Sequence, residues 1–401
     1  MKNKKLDWES ILVAVVLSVV AVYLVMWGMM GSMHMKMMDG QMMNMDGMEM
    51  QDTSMDMDHQ MDGMEMTDLS TLPLEEPQSK LEPEVITENG QEIKVFNMTI
   101  EAIKKEIRPG VFVEAWGFNR QVPGPEFRVQ EGDRVRVHFT NKHTKEHTIH
   151  WHGIHVPTEM DGVPGISQEP VKPNETFTYE FIAGPSGTHM YHCHVDTDHH
   201  MDMGMYGAFI IEDKDEDLTK YDTEITWVLS EFNTKHNPAL HKEWESEYFS
   251  KHFQYKVDYD HYLINGKAFP ATTPISVKEG DLVKLRMIHA GKTPKSFHIH
   301  GHSFKVTHKD GFPVENPQEM DTLPILPGER YDLEIKANNP GAWVFHDHIT
   351  KQVTNDGFYP GGALGVILYE GYTSDTLQDY LASIKTYNQE AARLGKPPEQ
   401  H

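Results

Sequence analysis

One stretch near the middle of the chain combines the residue types that bind soft transition metals. Residues 188–207 read THMYHCHVDTDHHMDMGMYG and contain Cys193, the single cysteine of this 401-residue protein. A Cys with two His and a weak axial Met is the ligand set of electron-transfer copper sites. A second stretch, residues 147–157 with the sequence HTIHWHGIHVP, can supply the remaining His. The two stretches together indicate a copper redox protein.

The sequence from about residue 92 onward repeats itself. The strand patterns EGDRVRVHFTN and EGDLVKLRMIH are separated by 148 residues, from Gly132 to Gly280. The HxH motifs that follow them begin at His150 and His298 and are separated by the same 148 residues. Equal spacing of two features indicates duplication of a whole domain.

Each copy contains a second HxH motif, in the matching sequences GTHMYHCH and GAWVFHDH. Residues two apart on a strand point to the same side, so each motif directs both imidazoles toward one place. A lone buried histidine is usually structural, but four pairs at duplicated spacing predict a metal cluster. The paired histidines are His150, His152, His192, His194, His298, His300, His346 and His348.

The segments around these motifs have the pattern of strands. Short alternating or β-branched runs, such as FRVQEGDRVRVHFT, TFTYEFIA and RYDLEIKA, are separated by Gly, Pro and Asn. This pattern predicts an all-β protein with two tandem Greek-key barrels or sandwiches. The clearest helical pattern runs from about Ser374 to Leu394 and is followed by Gly395 and Pro397.

In combination, the motifs HTIHWHG, HCHxxxxxHxxxxM, HIHGH and HDH resemble those of two-domain, laccase-like multicopper oxidases. The match covers about residues 92–371. The resemblance implies two cupredoxin-like barrels and roughly four copper ions per chain: one type 1, one type 2 and a type 3 pair. In that family the type 1 copper accepts electrons from a donor, and the other coppers form a trinuclear cluster that reduces O2 to water.

The resemblance also assigns the type 1 ligands, all in the first domain. His147 precedes the first HxH motif, Cys193 is the thiolate, and His200 and Met205 keep the family's His-x4-Met spacing. His199 is the rival of His200, but it would break that spacing. By resemblance, His192 and His194, the sequence neighbours of Cys193, bind the trinuclear cluster. Electrons would therefore have a short covalent path from the type 1 copper to that cluster.

The trinuclear ligands are divided between the two domains. By resemblance, His150 and His298 bind type 2 copper, and the type 3 ligands are His152, His192, His194, His300, His346 and His348. The cluster must therefore form where a first domain meets a second domain. Two-domain relatives achieve this between the chains of a homotrimer, which the resemblance implies here, although the sequence alone leaves an intrachain arrangement open.

Domain 2 departs from the type 1 pattern. Lys295 stands at the repeat position of the type 1 His, and Asp347 stands at that of the Cys. We therefore expect a type 1 site in domain 1 alone. Asp161, in the sequence MDGVP, resembles the family's acidic residue near the cluster and is a candidate proton relay; an ordinary turn aspartate before Gly162 is the alternative. The histidines interpreted as non-ligands include His143, His155, His189, His302 and His308.

The N-terminal region predicts a membrane anchor. Residues 11–30 form an uncharged apolar run just long enough to span a bilayer. Lys2, Lys4 and Lys5 precede it, so the positive-inside rule places the rest of the chain on the extracytoplasmic side of a single-pass protein. A cleaved signal peptide is the alternative.

Most of the 26 methionines lie between residues 29 and 66, interleaved with Asp, Gly and Gln at no helical period. This composition predicts a disordered segment whose thioethers suit Cu(I). A solvated acidic tether is the alternative interpretation. The predicted organisation is a cytoplasmic tip and anchor at 1–30, the Met-rich segment and acidic linker at 31–91, domain 1 at 92–213, domain 2 at 222–371, and a C-terminal helix and tail at 372–401.

The predicted function is oxidation of Cu(I) or of small phenolic or aromatic donors, coupled to O2 reduction. The formal charge of −25 makes nucleic acid an unfavourable partner. A copper nitrite reductase is an alternative. Besides its type 1 copper, that enzyme needs only one further copper held by three histidines, whereas this sequence has eight paired histidines. An extracellular copper-sequestration protein, with the Met-rich segment as its active part, is the non-enzyme alternative.

Overall fold

The computed structural model describes residues 67–78, 80–237 and 259–379, together with residues 382 and 386. The predicted anchor at 11–30 and the Met-rich segment lie outside the described residues. Residues 375–379 are helical, where the sequence predicts the C-terminal helix to begin, and most of that predicted helix also lies outside the described residues. No helix in the described part of the chain is long and apolar enough to cross a membrane.

The described chain consists mainly of strands, which confirms the predicted all-β fold. The strands of the first half are β1 (Glu84–Glu88), β2 (Gln91–Arg108), β3 (Val111–Phe118), β4 (Gly124–Gln130), β5 (Arg134–Asn141), β6 (His150–His152), β7 (Thr176–Ile182), β8 (Gly187–His192) and β9 (Tyr206–Glu212). One short helix, α1 (Thr197–Asp202), lies between β8 and β9. The 3₁₀ turns are at Thr158–Met160, Leu218–Lys220, Thr234–His236 and Thr350–Val353.

Two sheets form the first half. One has the order β1-β2-β5-β7 with β3 paired to β2, and the other has the order β4-β9-β8-β6. The sequence of β5, RVRVHFTN, alternates between a buried and a solvent-facing side of the sheet. Val135, Val137 and Phe139 are fully buried, while the residues between them are partly exposed.

The second half also forms two sheets. Its strands are β10 (Thr223–Phe232), β11 (His261–Ile264), β12 (Ile275–Val277), β13 (Leu282–His289), β14 (Lys295–Ile299), β15 (Phe304–Lys309), β16 (Phe312–Pro313), β17 (Glu319–Met320), β18 (Thr322–Ile325), β19 (Arg330–Lys336), β20 (Ala342–Asp347) and β21 (Leu364–Tyr369). One sheet has the order β11-β10-β13-β19-β15-β16 with β17 paired to β15, and the other has the order β12-β21-β20-β14-β18.

The same topology occurs in both halves. β2 pairs in parallel with β5, as β10 does with β13, and β4 pairs in parallel with β9, as β12 does with β21. The HxH motifs lie on, or at the ends of, adjacent antiparallel strands in each half. Strand β6 contains both of its histidines, whereas His194, His300 and His348 lie just past the ends of β8, β14 and β20. His150 is directly opposite His192 in the register of β6 and β8, and His298 is opposite His346 in that of β14 and β20.

Part of the predicted linker at 31–91 belongs to the fold. Strand β1 begins at Glu84, and the segment before it runs along domain 1, where the Leu81 amide donates to Glu126 O at 2.9 Å. Glu75 Oε1 accepts a hydrogen bond from the buried ammonium of Lys105 at 2.6 Å. The linker prediction was wrong here because β1 is an exposed edge strand, which shows no apolar alternation.

A third apolar cluster joins the two domains, in addition to the core of each. It contains Val122 and Tyr206 from domain 1 with Phe232, Leu263 and Ile288 from domain 2, all buried. Contacts of this kind hold both domains in one compact unit that includes the described part of the chain.

Candidate metal centres

The predicted type 1 ligands come together in the interior of domain 1. Cys193 Sγ lies 3.2 Å from His200 Nδ1 and 3.7 Å from His147 Nδ1, and the two nitrogens are 3.2 Å apart. Each of the three residues is buried. Met205 is also fully buried in the same apolar cluster, and its carbonyl accepts a hydrogen bond from the Cys193 amide at 3.1 Å.

The protonation states of this group suit a soft metal ion. Burial is the main cause that lowers the pKa of His200 to about 3 and that of His147 well below the ordinary value, so both imidazoles are neutral. Burial raises the pKa of the Cys193 thiol to about 12, so a bound cation must displace its proton. One thiol, two neutral imidazoles and a nearby thioether form a donor set that fits copper.

Helix α1 decides between the two adjacent histidines. His200 belongs to the compact group with His147 and Cys193, whose ligand atoms all lie within 4.8 Å of one another. His199 is equally buried, but its ring packs edge-on against Trp116 with centroids 5.2 Å apart. This geometry supports the assignment that the His-x4-Met spacing indicated.

Two residues that the ligand motifs did not identify support the type 1 group. His143 Nδ1 lies 2.8 Å from His147 Nε2, the nitrogen of His147 that faces away from Cys193. The Trp116 ring lies against both, with centroid distances of 4.4 Å to His143 and 5.8 Å to His147, and against His200 at 5.0 Å. The i, i+4 spacing of His143 and His147 was the only sequence signal for the first contact.

The domain 1 HxH motifs form a second compact group. Ligand atoms of His150, His152 and His192 lie within 4.8 Å of one another, and the His194 ring lies 5.3 Å from the His150 ring. Burial is the main cause that lowers the pKa of His152 to about 4 and that of His192 to about 3. These imidazoles are therefore neutral and able to act as ligands.

The domain 2 motifs form a more exposed set. The His300 and His346 Nε2 atoms lie 3.0 Å apart, and the His298 ring lies 4.9 Å from the His300 ring. His298 and His300 line an open cleft of about 640 Å³, together with Asp321 and Trp343. Among the described residues, the close ring contacts of these histidines stay within their own domain: none joins His298, His300, His346 or His348 to His150, His152, His192 or His194.

Backbone carbonyls orient the histidines in the same way in both domains. His150 Nδ1 donates to Asp161 O at 2.9 Å, and His298 Nδ1 donates to Asp321 O at 2.7 Å. On the partner strands, His192 Nδ1 donates to Cys193 O at 2.9 Å and His346 Nδ1 donates to Asp347 O at 2.8 Å. A carbonyl only accepts, so each bond fixes the tautomer and leaves Nε2 as the metal-binding atom.

Asp161, the candidate relay, lies beside the domain 1 group. Its Oδ1 is 3.2 Å from His150 Nδ1, and its side chain is 38% exposed. The residue therefore contacts both a predicted ligand and solvent, which are the two contacts that a proton relay needs.

The histidines interpreted as non-ligands occupy supporting or outer positions. His189 Nε2 donates to Pro185 O at 2.8 Å, and His302 Nε2 lies 2.7 Å from the Tyr369 hydroxyl. His308 Nδ1 lies 3.1 Å from Thr307 Oγ1, and His155 is exposed.

In domain 2, a buried ion pair takes the place of the type 1 group. The Lys295 ammonium lies 2.5 Å from Glu231 Oε1 and 2.7 Å from Gln352 Oε1, and both charged side chains are 1% exposed. Asp347, at the position of the Cys, is fully buried; its Oδ1 accepts from the Ile349 amide at 2.9 Å. An ammonium thus occupies the position where a metal ligand would be needed, as the departure from the motif predicted.

Comparison with known proteins agrees with this arrangement. Family models described as multicopper oxidase match residues 99–216 and 237–359. The solved structure of the multicopper oxidase mgLAC is 40% identical, with a TM-score of 0.65, and the match covers 70% of this chain and 87% of that one. The blue copper oxidase from Nitrosomonas europaea is 38% identical, with a TM-score of 0.62 and coverage of 69% and 86%.

Curated relatives are longer than this chain. Copper resistance protein A from Pseudomonas syringae pv. tomato is 28% identical over an alignment of 270 positions, which covers 58% of this chain and 44% of that protein. The chain thus spans less than half the length of this relative. The two solved structures, by contrast, are covered over most of their length at high identity, and they share the cupredoxin-like fold. The chain belongs to the multicopper oxidase family.

Proposed function

We propose that the chain couples one-electron oxidation of a donor at a type 1 copper to the reduction of O2 to water at a trinuclear copper cluster. The observation that carries this proposal is the position of Cys193 between two candidate centres. Its thiol belongs to the group with His147 and His200, while the preceding residue, His192, belongs to the group with His150 and His152. Copper bound at these groups would supply the one-electron redox steps.

The residues between the two groups provide a short route for electrons. Cys193 is bonded through the backbone to His192, and the His192 ring returns to that backbone by donating to Cys193 O at 2.9 Å. Both residues of this route are buried, Cys193 fully and His192 with 6% exposure. Asp161, which reaches solvent and lies against His150, would pass protons toward the second group.

We further propose that a homotrimer completes the trinuclear cluster. Its support is the separation of the two histidine sets within one chain and the exposure of the domain 2 set. Exposed apolar side chains accompany both sets: Ile349, 39% exposed, follows His348, and Ile166, 81% exposed, lies in the loop after Asp161. Such side chains are suited to a contact between copies of the chain.

The donor that we propose is Cu(I), with small phenolic compounds as the other class. The Met-rich segment offers soft thioether donors, and one relative is a copper resistance protein. The charge of −25 also favours a cationic substrate. We propose that residues 11–30 anchor the chain in the cell membrane, with the catalytic domains on the extracytoplasmic side and the Met-rich segment collecting copper beside them.

A copper nitrite reductase is a second candidate. The compact group of His150, His152 and His192 alone could hold one copper through three histidines. This interpretation gives no role to the exposed histidine set of domain 2, in which His298 and His346 have the same carbonyl-oriented tautomers.

Copper content decides between these functions. The fully loaded chain without residues 1–66 should hold about four coppers per chain, absorb as a blue protein and consume O2 with Cu(I) as donor. Cys193→Ser should remove the blue absorption while the remaining coppers stay bound. A content of about two coppers with nitrite reduction would instead support the second candidate.

A further inference from the structure

Helix α1 carries the type 1 ligand His200, yet it has little stability of its own. It is only six residues long, from Thr197 to Asp202, and no side chain caps its N-terminus. The residue before it, Asp196, has a left-handed conformation with φ of 41°. A helix this short is not stable without external contacts, so other parts of the protein must hold His200 in place.

Lys292 of domain 2 provides such a contact. Its Nζ lies 2.6 Å from Asp198 Oδ1 and 2.8 Å from Asp202 Oδ2, and it donates to Asp198 O at 2.5 Å. An ammonium has three N–H donors, and here three oxygens of α1 surround it. The side chain is 24% exposed, so the contact is partly shielded from solvent. The Tyr259 hydroxyl, also from domain 2, donates to Asp202 Oδ1 at 3.0 Å.

The loop that carries Lys292 is held by the ion pair that replaces the type 1 group in domain 2. Glu231 Oε2 accepts from the Lys292 amide at 2.8 Å, and Glu231 Oε1 accepts from Thr293 Oγ1 at 2.6 Å and from Lys295 at 2.5 Å. A side chain at Gly291 would place its Cβ 2.0 Å from Glu231 Oε2, so only glycine allows this approach. The carboxylate of Glu231 thus shapes the loop, and Lys295 neutralises it.

We propose that Lys292 is a positioning residue for the type 1 centre, and that the metal-free counterpart site in domain 2 serves to hold it against α1 of domain 1. In the duplicated protein, one copy of the site binds metal and the other supports it. This inference rests on the proposed type 1 site. As a consequence, the charges of Asp198, Asp202 and Lys292 together set the electrostatic potential at His200.

Two substitutions with opposite electrostatic effects test the proposal. Lys292→Met leaves two carboxylates without their ammonium, and these favour oxidised over reduced copper, so the type 1 reduction potential should fall. Asp198→Asn with Asp202→Asn leaves the ammonium alone, so the potential should rise. A purely structural role would not give shifts of opposite sign.

The same variants have a readout that needs no copper. In the copper-free chain, hydrogen exchange of the amides at 197–205 should be faster in Lys292→Met than in the unmodified protein, because α1 loses its support. Lys292→Arg should restore both the exchange rate and the potential. Lys305→Met, which removes a half-exposed lysine of domain 2 that lies near Glu334 rather than α1, is the matched control and should change neither.

Equal potentials in all these variants, or shifts of the same sign, would overturn the inference. If Lys292→Met does not fold, Asp198→Asn with Asp202→Asn decides the question. An unchanged type 1 reduction potential in that double variant would reject the role of the contact between Lys292 and α1. Failure of the proposed function is distinct, because the unmodified protein would then show no blue type 1 absorption at all.

Discussion

The ammonium of Lys295 lies 2.5 Å from Glu231 Oε1 at the position where domain 1 has His147, a proposed type 1 ligand. Burial alone would raise the pKa of the Glu231 carboxyl, but Lys295 and neighbouring groups lower it to about 2. Glu231 is therefore ionised beside Lys295, and both side chains are 1% exposed. This pair makes the counterpart site of domain 2 unsuited to a type 1 copper, so the type 1 site that we propose lies in domain 1.

Breaking this pair should destabilise the fold. Lys295→Met leaves the Glu231 carboxylate buried without its partner, and we expect the free energy of unfolding to fall by about 3–5 kcal/mol. Lys295→Met combined with Glu231→Met removes both charges and should cost less than the single substitution. Urea denaturation of the copper-free chain measures both. Glu231→Met alone completes the cycle, and a double-variant cost equal to the sum of the two single costs would show that the charges do not interact.

Subunit complementation tests the shared cluster. A chain with His150→Ala and His152→Ala lacks the domain 1 set, and a chain with His346→Ala and His348→Ala lacks the domain 2 set. Neither should reduce O2 alone. In a mixed ring of both chains, about a quarter of the interfaces join two intact sets, so activity should return to about that fraction.

The complementation needs evidence that mixed assemblies form, which native mass spectrometry provides. Mixed trimers without any recovered activity would contradict a cluster shared between chains. An unmixed sample of each variant is the control.

His143 should control how tightly the type 1 group holds copper. His143→Ala removes the partner that lies 2.8 Å from His147 Nε2. Loss of such an orienting hydrogen bond costs about 10- to 100-fold in metal affinity. We expect copper to leave the type 1 site of this variant at a lower chelator concentration, as followed by its visible absorption. His155→Ala, at an exposed position, should behave like the unmodified protein.

Acid should destabilise the copper-free chain through its buried histidines. Burial is the main cause that lowers the pKa of His189 to about 4 and that of His192 to about 3, from an ordinary value of 6.5. The unfolded state binds more protons below pH 6.5, so stability falls as the pH drops below that value. The loss reaches up to about 1.4 kcal/mol per histidine for each pH unit.

Unfolding measured between pH 7 and pH 5 excludes ordinary carboxyls, which titrate at lower pH. Burial raises the pKa of Asp202 to about 6, so this carboxyl acts in the opposite direction to the histidines in the same window. His189→Gln keeps a donor for Pro185 O and should reduce the slope of stability against pH. An unchanged slope would show that His189 does not contribute.

The sequence by itself determined the all-β fold class, the duplication and the candidate ligands. The direction of a histidine pair follows from a local rule where both residues lie on one strand, as His150 and His152 do on β6. The same rule explains why β1 was missed, because an exposed edge strand such as Glu84–Glu88 has no buried face to create a pattern.

Only the tertiary structure decided which distant groups meet. His143 and Trp116 lie against His147, Lys292 reaches α1 from the other domain, and Glu231 shapes the loop that carries it. The tertiary structure also decides that, among the described residues, close ring contacts of the histidines stay within each set. Such contacts join residues that are far apart in the sequence, and packing of the two barrels, rather than any local spacing, determines their distances.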